Sequence, residues 1–266
     1  MKVTVDGADL HFETHGNVDD GARPWVVLSH SLACNRAMWA PQLPALGQRF
    51  RVLALDTRGH GDSTATPPPY TFDQLADDVA AILRALRIDR PHFVGLSLGG
   101  MIGQTYALRY PGTLASLTLA DTACRWPQST HAVFAERART ALAEGMEPLV
   151  QPTLGRWFTP AFQQAHPAEV AAIAAAIRAT PPLGFAGCAA AVPTINTTDR
   201  LKDLTCPVLV IVGKDDPGTP PAMAREIQQH IPGARLVVLE NASHLSNVEQ
   251  PALFNQALLS FLATAS

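Results

Sequence analysis

Charge is scarce in this sequence. Only 16% of its 266 residues are Asp, Glu, Lys or Arg, and together they leave a formal net charge of −3. That excludes the basic footprint by which proteins hold nucleic acid or an anionic membrane surface, so the expected partner is a small molecule. Long apolar runs are missing as well. The longest, such as Ala171 to Ile177, fall far short of the ~20 residues needed to span a bilayer. The opening MKVTVDGADL alternates polar and apolar residues and lacks the apolar core of a secretory signal, so a cytoplasmic location is expected. Cysteine is confined to Cys34, Cys124, Cys188 and Cys206, far apart and with no C-x-x-C pair. Free, buried thiols are therefore expected, and neither a zinc site nor a redox dithiol.

What is plentiful is apolar. At 47% hydrophobic content, a chain of this length can bury a sizeable core as one domain. Val3 to Val5 and Leu10 to Thr14 read as strands around Asp6-Gly7, which predicts an antiparallel hairpin at a sheet edge. Short apolar runs then recur at WVVLS (25–29), FRVLAL (50–55), HFVGL (92–96), SLTLA (116–120), PVLVIV (207–212) and RLVVL (235–239). Such near-continuous runs fit parallel strands buried on both faces.

Helical spacing lies between several of them, most clearly in Leu75, Val79, Ile82, Leu83 and Leu86, preceded by a capping-box pattern from Thr71 to Gln74. The alternation predicts a doubly wound, mostly parallel α/β sheet with helices on both faces. The rhythm breaks between about Thr122 and Arg200, where Ala-rich helical stretches alternate with prolines. An inserted helical cap over residues 122–200 explains the break, with 1–121 and 201–266 forming the core domain. Such an excursion can cover the carboxyl edge of the sheet, where ligands bind in open α/β folds.

The strongest local signal is Gly95-Leu96-Ser97-Leu98-Gly99, between the run HFVGL and the helical stretch from Gly100 to Tyr110. This is a nucleophile elbow in the context it requires, a sharp strand-to-helix turn that needs small flanking residues. A serine hydroxyl stays protonated at neutral pH, so a base must sit within reach of Ser97. Of nine histidines, His244 follows the last predicted strand in a loop at the carboxyl edge, where a base can meet the elbow. A carboxylate must then hold the imidazole tautomer. Asp215 and Asp216 follow one strand and Asp121 another; the order Ser97, Asp216, His244 suits this type of elbow. For charge developing on a carbonyl oxygen, the backbone N–H groups of Leu98 and Leu32 are the candidate donors.

Beyond these residues, SHSLACNRAMWAPQL (29–43), LDTRGHGDS (55–63), VGLSLGGMIGQ (94–104), RWFTPAF (156–162), GFAGCAAA (184–191) and SHLSNVEQP (243–251) closely resemble the 3-oxoadipate enol-lactonases. These belong to the α/β-hydrolase fold and act in aromatic-compound catabolism by the β-ketoadipate pathway. The elbow and the Asp-x-Arg-Gly-His-Gly stretch mark the wider superfamily, whereas Arg156 to Pro160 and His244 to Glu249 are more specific to the lactonases. The resemblance implies hydrolysis of a carboxylate-bearing lactone through an acyl-enzyme, without metal or organic cofactor. It also favours Asp216, which stands before Pro217, as the acid. His30-Ser31 departs from the Asn-Ser usual in that group, and Val192 to Thr198 lacks the charged residues usual after the cap's alanine run. Arg125 is the candidate for the substrate carboxylate, with Trp126 beside it to cover the lactone. A carboxylesterase, a C–C bond hydrolase, and a ligand receptor built on the same fold are the alternatives.

Overall fold

The computed structural model describes residues 1–265. The hairpin comes first: β1 (Lys2–Val5) and β2 (Ala8–His15) pair antiparallel across Asp6 and Gly7. Both turn residues have positive φ, 48° and 77°, the backbone whose twist matches the flanking strands. The six apolar runs become β3 (Trp25–Ser29), β4 (Arg51–Leu55), β5 (His92–Leu96), β6 (Ser116–Ala120), β7 (Val208–Gly213) and β8 (Arg235–Leu239). All eight strands form one sheet in the order β1-β2-β4-β3-β5-β6-β7-β8. From β4 onward every pairing is parallel, while β2 meets β4 antiparallel. Every residue of β5, β6 and β7 is buried, which is why their sequences barely alternate.

Helices cover both faces. α1 (Leu43–Gly47) follows β3, α2 (Phe72–Ala85) follows β4, and α3 (Leu98–Arg109) follows β5. Thr71 caps α2 by accepting the Gln74 N–H at 3.1 Å, and Leu75, Val79, Ile82 and Leu83 of that helix are buried. Between β6 and β7 the chain forms α4 (Thr130–Glu144), α5 (Glu147–Trp157), α6 (Pro160–Ala165), α7 (Pro167–Ala179) and α8 (Pro182–Ala191). The only β pairing described there is an isolated bridge between Arg125 and Asn196. The core resumes after β7 with α9 (Pro221–His230), and after β8 with α10 (Ser246–Glu249) and α11 (Pro251–Leu262). Among the described residues no single helix is long and apolar enough to cross a membrane.

The chain passes from β3 to β4 on one side and returns to β5 on the other, so β3 and β5 flank a topological switch point. Their carboxyl ends open the crevice in which ligands of such sheets sit. The turns at 30–32 and 97–98 leave the sheet there.

One buried ion pair ties this edge to the helical layer. Arg58, after β4, donates to Asp78 of α2 at 2.8 and 2.5 Å, with the two side chains 1% and 8% exposed. Removing one partner of such a pair strands the other charge in a dry site. Asp78→Ala should therefore cost ~3–5 kcal/mol in urea denaturation. By contrast Arg109→Ala, which breaks an exposed pair with Asp77, should cost less than ~1 kcal/mol.

Candidate active site

The elbow is built by exclusion of side chains. A Cβ on Gly95 would lie 2.2 Å from the Gly99 carbonyl oxygen, and one on Gly99 would lie 2.1 Å from that of Ser29. Only glycine lets β5, α3 and the end of β3 approach so closely. Ser97 pays with a φ of 53° and ψ of −111°, a conformation that costs a non-glycine residue roughly 1–3 kcal/mol. Its surroundings hold it there: its N–H donates to Ala120 at 2.9 Å, and the Thr122 hydroxyl donates to its carbonyl at 2.7 Å.

Ser97, His244 and Asp216 line one cavity of about 260 Å³ beneath the helical insertion. The Nδ1 of His244 lies 2.8 Å from Asp216 Oδ2. An ionised carboxylate only accepts, so the proton is on Nδ1 and the lone pair on Nε2 is free to take one. Asp216 is fixed in turn by the N–H groups of Gly218 and Thr219 at 2.7 and 3.0 Å, and by the Thr219 hydroxyl at 2.6 Å. Asp121 and Asp215 are placed elsewhere. Asp215 is exposed, whereas Asp121 is buried and accepts from the Gly213 N–H and the Ser246 hydroxyl, which pins the ends of β6 and β7 to α10.

Charges oppose one another around the imidazole. Burial pushes the His244 pKa down, but the Asp216 charge, its hydrogen bond and the more distant Asp121 outweigh burial and the opposing Arg156, so the net shift is upward. For Asp216, burial pushes upward, yet His244 and the Thr219 bonds bring it below the usual carboxylate range. Asp121 moves the other way, raised by burial and by the Asp216 charge.

Leu98 opens α3, so its N–H belongs to the unpaired first turn of a helix. Neither that N–H nor the N–H of Leu32 has an acceptor among the described residues. Leu32 lines the cavity, and the turn it belongs to is tied to the elbow by the Gly99 N–H donating to the His30 carbonyl at 3.1 Å.

The walls come from the insertion. Thr130, Val133, Phe134 and Arg137 form one stripe of α4, and Leu149, Thr153, Arg156 and Trp157 one of α5. Trp126 also lines the cavity, edge-on to Phe134. Arg125 does not: its side chain is 60% exposed and pairs with Glu226 of α9 at 2.5 Å. The reason is geometric. Arg125 lies on the extended segment that bridges Asn196, and neighbouring residues of extended chain point to opposite sides. With Trp126 turned inward, Arg125 faces out.

The cavity's cations are Arg137 and Arg156 instead, and neither has a carboxylate partner among the described residues: Arg137 lies over the Phe134 ring, 5.1 Å from its centroid, and Arg156 donates to the Thr153 hydroxyl at 3.2 Å. Burial, and then the neighbouring Arg156, push Arg137 down to about 10, and burial lowers Arg156. Both remain cations at neutral pH, in surroundings that penalise charge. Arg156 stands in the lactonase-like RWFTPAF stretch, a signal that could have identified it; Arg137 carries no local signal. No group of three or more His, Cys, Asp or Glu among the described residues could hold a metal ion.

Fold and site together define a class. The chain belongs to the α/β-hydrolase fold family, which matches residues 24–251. Within it, the chain is 36% identical to 3-oxoadipate enol-lactonase 2 of Acinetobacter baylyi over 256 residues, 96% of this chain and 94% of that protein. The crystal structure of the enol-lactonase from Burkholderia xenovorans LB400 superposes with a TM-score of 0.95 at 38% identity, covering 99% of this chain and 100% of that one. A putative carbamate hydrolase, RutD, of Agrobacterium fabrum is 31% identical over 96% of this chain and 99% of its own.

If His244 is the base, it must be neutral to act, so kcat/KM should fall as pH drops through an inflection above the ordinary histidine value of 6.5. Asp216→Asn removes the charge that raises the imidazole, and should move that inflection downward while cutting kcat by roughly 10⁴. Asp121→Asn should move it less. A pH–rate series on the three proteins with an activated ester tests this, and an unmoved limb in Asp216→Asn would remove Asp216 from the role.

Proposed function

We propose that this protein is a serine hydrolase that opens a carboxylate-bearing enol-lactone, 3-oxoadipate enol-lactone, as a step in aromatic-compound catabolism. The observation that carries the reading is the pair of guanidiniums, Arg137 and Arg156, that lack carboxylate partners among the described residues and share a cavity with Ser97 and His244. Both guanidiniums are half-buried; a partly desolvated cation without a counter-ion carries a cost that a ligand carboxylate offsets with charge-assisted hydrogen bonds. Relatives named as enol-lactonases support the same substrate.

In this reading the Ser97 oxygen attacks the lactone carbonyl as Nε2 of His244 takes its proton, and Asp216 stabilises the imidazolium. The negative charge on the former carbonyl oxygen falls to the N–H groups of Leu32 and Leu98. Collapse of the adduct breaks the ring C–O bond. The departing enolate stays tethered through the acyl chain, takes the proton from His244 and becomes a ketone. Water then attacks the Ser97 ester with the same base, releasing the product as a dicarboxylate. An enolate leaves readily, so orientation of the carboxylate arm governs selectivity more than the strength of the leaving bond does. The apolar floor and walls, including Trp126, Phe134 and Trp157, enclose the ring.

Similarity to RutD makes hydrolysis of a carbamate the second reading, and a lactone preference that depends on the two cations separates them. Arg137→Ala and Arg156→Ala should each raise KM for the charged lactone ~10–100-fold, the worth of one hydrogen bond to a charged group. The same variants should change KM for a neutral aryl ester less than ~3-fold, and Arg125→Ala should leave both substrates alone. Steady-state kinetics on charged and neutral substrates decide the matter. Equal losses on both would leave a general esterase, and wild-type preference for a carbamate would support the second reading.

A further inference from the structure

His30 is fully buried, does not line the cavity, and takes no part in the proton transfers above. Three of its polar atoms are nevertheless engaged. Its carbonyl accepts the Gly99 N–H at 3.1 Å, its Nε2 accepts the Thr57 N–H at 2.9 Å, and its Nδ1 lies 2.7 Å from the Ser31 carbonyl oxygen. A backbone N–H can only donate, so Nε2 is the acceptor and the ring proton sits on Nδ1, donating to Ser31. Burial, with the Arg36 charge adding to it, holds the His30 pKa at about 4 despite the Ser31 bond. His60, its ring 5.4 Å away, is held by burial at about 3. One neutral tautomer of His30 therefore persists through the neutral range.

The acceptor of that proton gives the arrangement its meaning. The Ser31 carbonyl and the Leu32 N–H belong to one peptide unit, and in a trans peptide they point in opposite directions. Fixing the oxygen against the imidazole fixes the direction of the N–H. A hydrogen bond accepted at the oxygen also polarises the amide and makes its N–H a stronger donor. We propose that His30 is a positioning residue that aims and strengthens the Leu32 N–H as an oxyanion donor, and that its carbonyl on Gly99 locks this turn to the elbow carrying Ser97 and Leu98. The proposal rests on the serine-hydrolase reading above.

Asparagine places an amide nitrogen near the position of Nδ1, whereas glutamine places its terminal group near that of Nε2. His30→Asn therefore keeps the Ser31 bond and loses the one from Thr57. His30→Gln does the reverse, and His30→Leu loses both. The test is kcat and KM of the full chain for p-nitrophenyl acetate, together with the rate at which an aryl phosphonate modifies Ser97, with thermal melts to verify folding. His30→Asn should stay within ~5-fold of wild type in kcat. His30→Gln and His30→Leu should lose ~10²-fold in kcat with KM within ~3-fold and phosphonylation slowed in parallel, the loss of about one oxyanion donor.

Folded Asn and Gln variants impaired alike, or a Gln or Leu variant at wild-type kcat, would overturn the proposal. Any one folded variant decides: an Asn variant within ~5-fold supports it and one losing more than ~10²-fold refutes it. Failure of all three to fold marks His30 as a folding residue and also refutes it. A wild-type protein that leaves the ester uncut, or a Ser97→Ala variant that cuts it undiminished, is a different outcome, because it sinks the serine-hydrolase reading itself.

Discussion

At Gly99 an added Cβ would lie 2.1 Å from the Ser29 carbonyl oxygen, and the approach that this missing atom permits sets the geometry of the whole edge. Because α3 can press against the end of β3, Ser97 is forced into left-handed φ at the tip of β5, and Leu98 begins a helix with its N–H unpaired among the described residues. The same approach brings the Gly99 N–H onto the His30 carbonyl. The turn after β3 and the turn after β5 are thereby one rigid unit, although His30 and Ser97 are 67 positions apart in sequence. The strain at Ser97 is local, and bonds from β6 and Thr122 hold it in place.

The second determinant is the charge around a buried imidazole. Asp216 and Asp121 favour its protonated form, whereas burial and Arg156 oppose it. Asp216 also serves as the acceptor that sets the tautomer, while Asp121 holds strand ends together through Gly213 and Ser246. Two carboxylates at neighbouring strand ends thus differ in role because their hydrogen-bond partners differ.

Sequence made the frame legible because its signals are local. Runs such as HFVGL and PVLVIV are continuous because both faces of those strands are covered, and Gly95 and Gly99 identify the elbow through contacts within a few residues. The order of elements places His244 at the right edge without any knowledge of packing. Choice among Asp121, Asp215 and Asp216 was not open to local reading, since all three follow strand ends. It depends on which carboxylate the His244 loop meets in space. Arg137, one of the cavity's two cations, was hidden for a related reason. Arg137 faces the cavity only because α4 turns the stripe of Thr130, Val133, Phe134 and Arg137 inward, and that rotation is set by tertiary packing. Arg125 looked well placed beside Trp126, but adjacency in extended chain puts the two on opposite sides.

The wall and the base also share a frame. Ser243 donates its hydroxyl to the Arg156 carbonyl at 2.8 Å, and the Leu245 N–H donates to the Trp157 carbonyl at 3.1 Å, so the residues on either side of His244 are tied to the end of α5. Glu249 completes the brace, one oxygen accepting from the Thr159 N–H and hydroxyl at 2.7 and 2.9 Å and the other from the Ser243 N–H. The Trp157 ring lies 6.0 Å from that of His244, inclined by 29°. The backbone of Arg156 is therefore tied to the loop that holds the imidazole. Its charge also weighs against protonation of His244, so a carboxylate seated on Arg156 would relieve that opposition and let the imidazolium form more easily at the moment it is needed. In the proposed reading, recognition of an anionic arm and basicity of the histidine would thus be coupled through one guanidinium, both by the backbone that carries it and by its field.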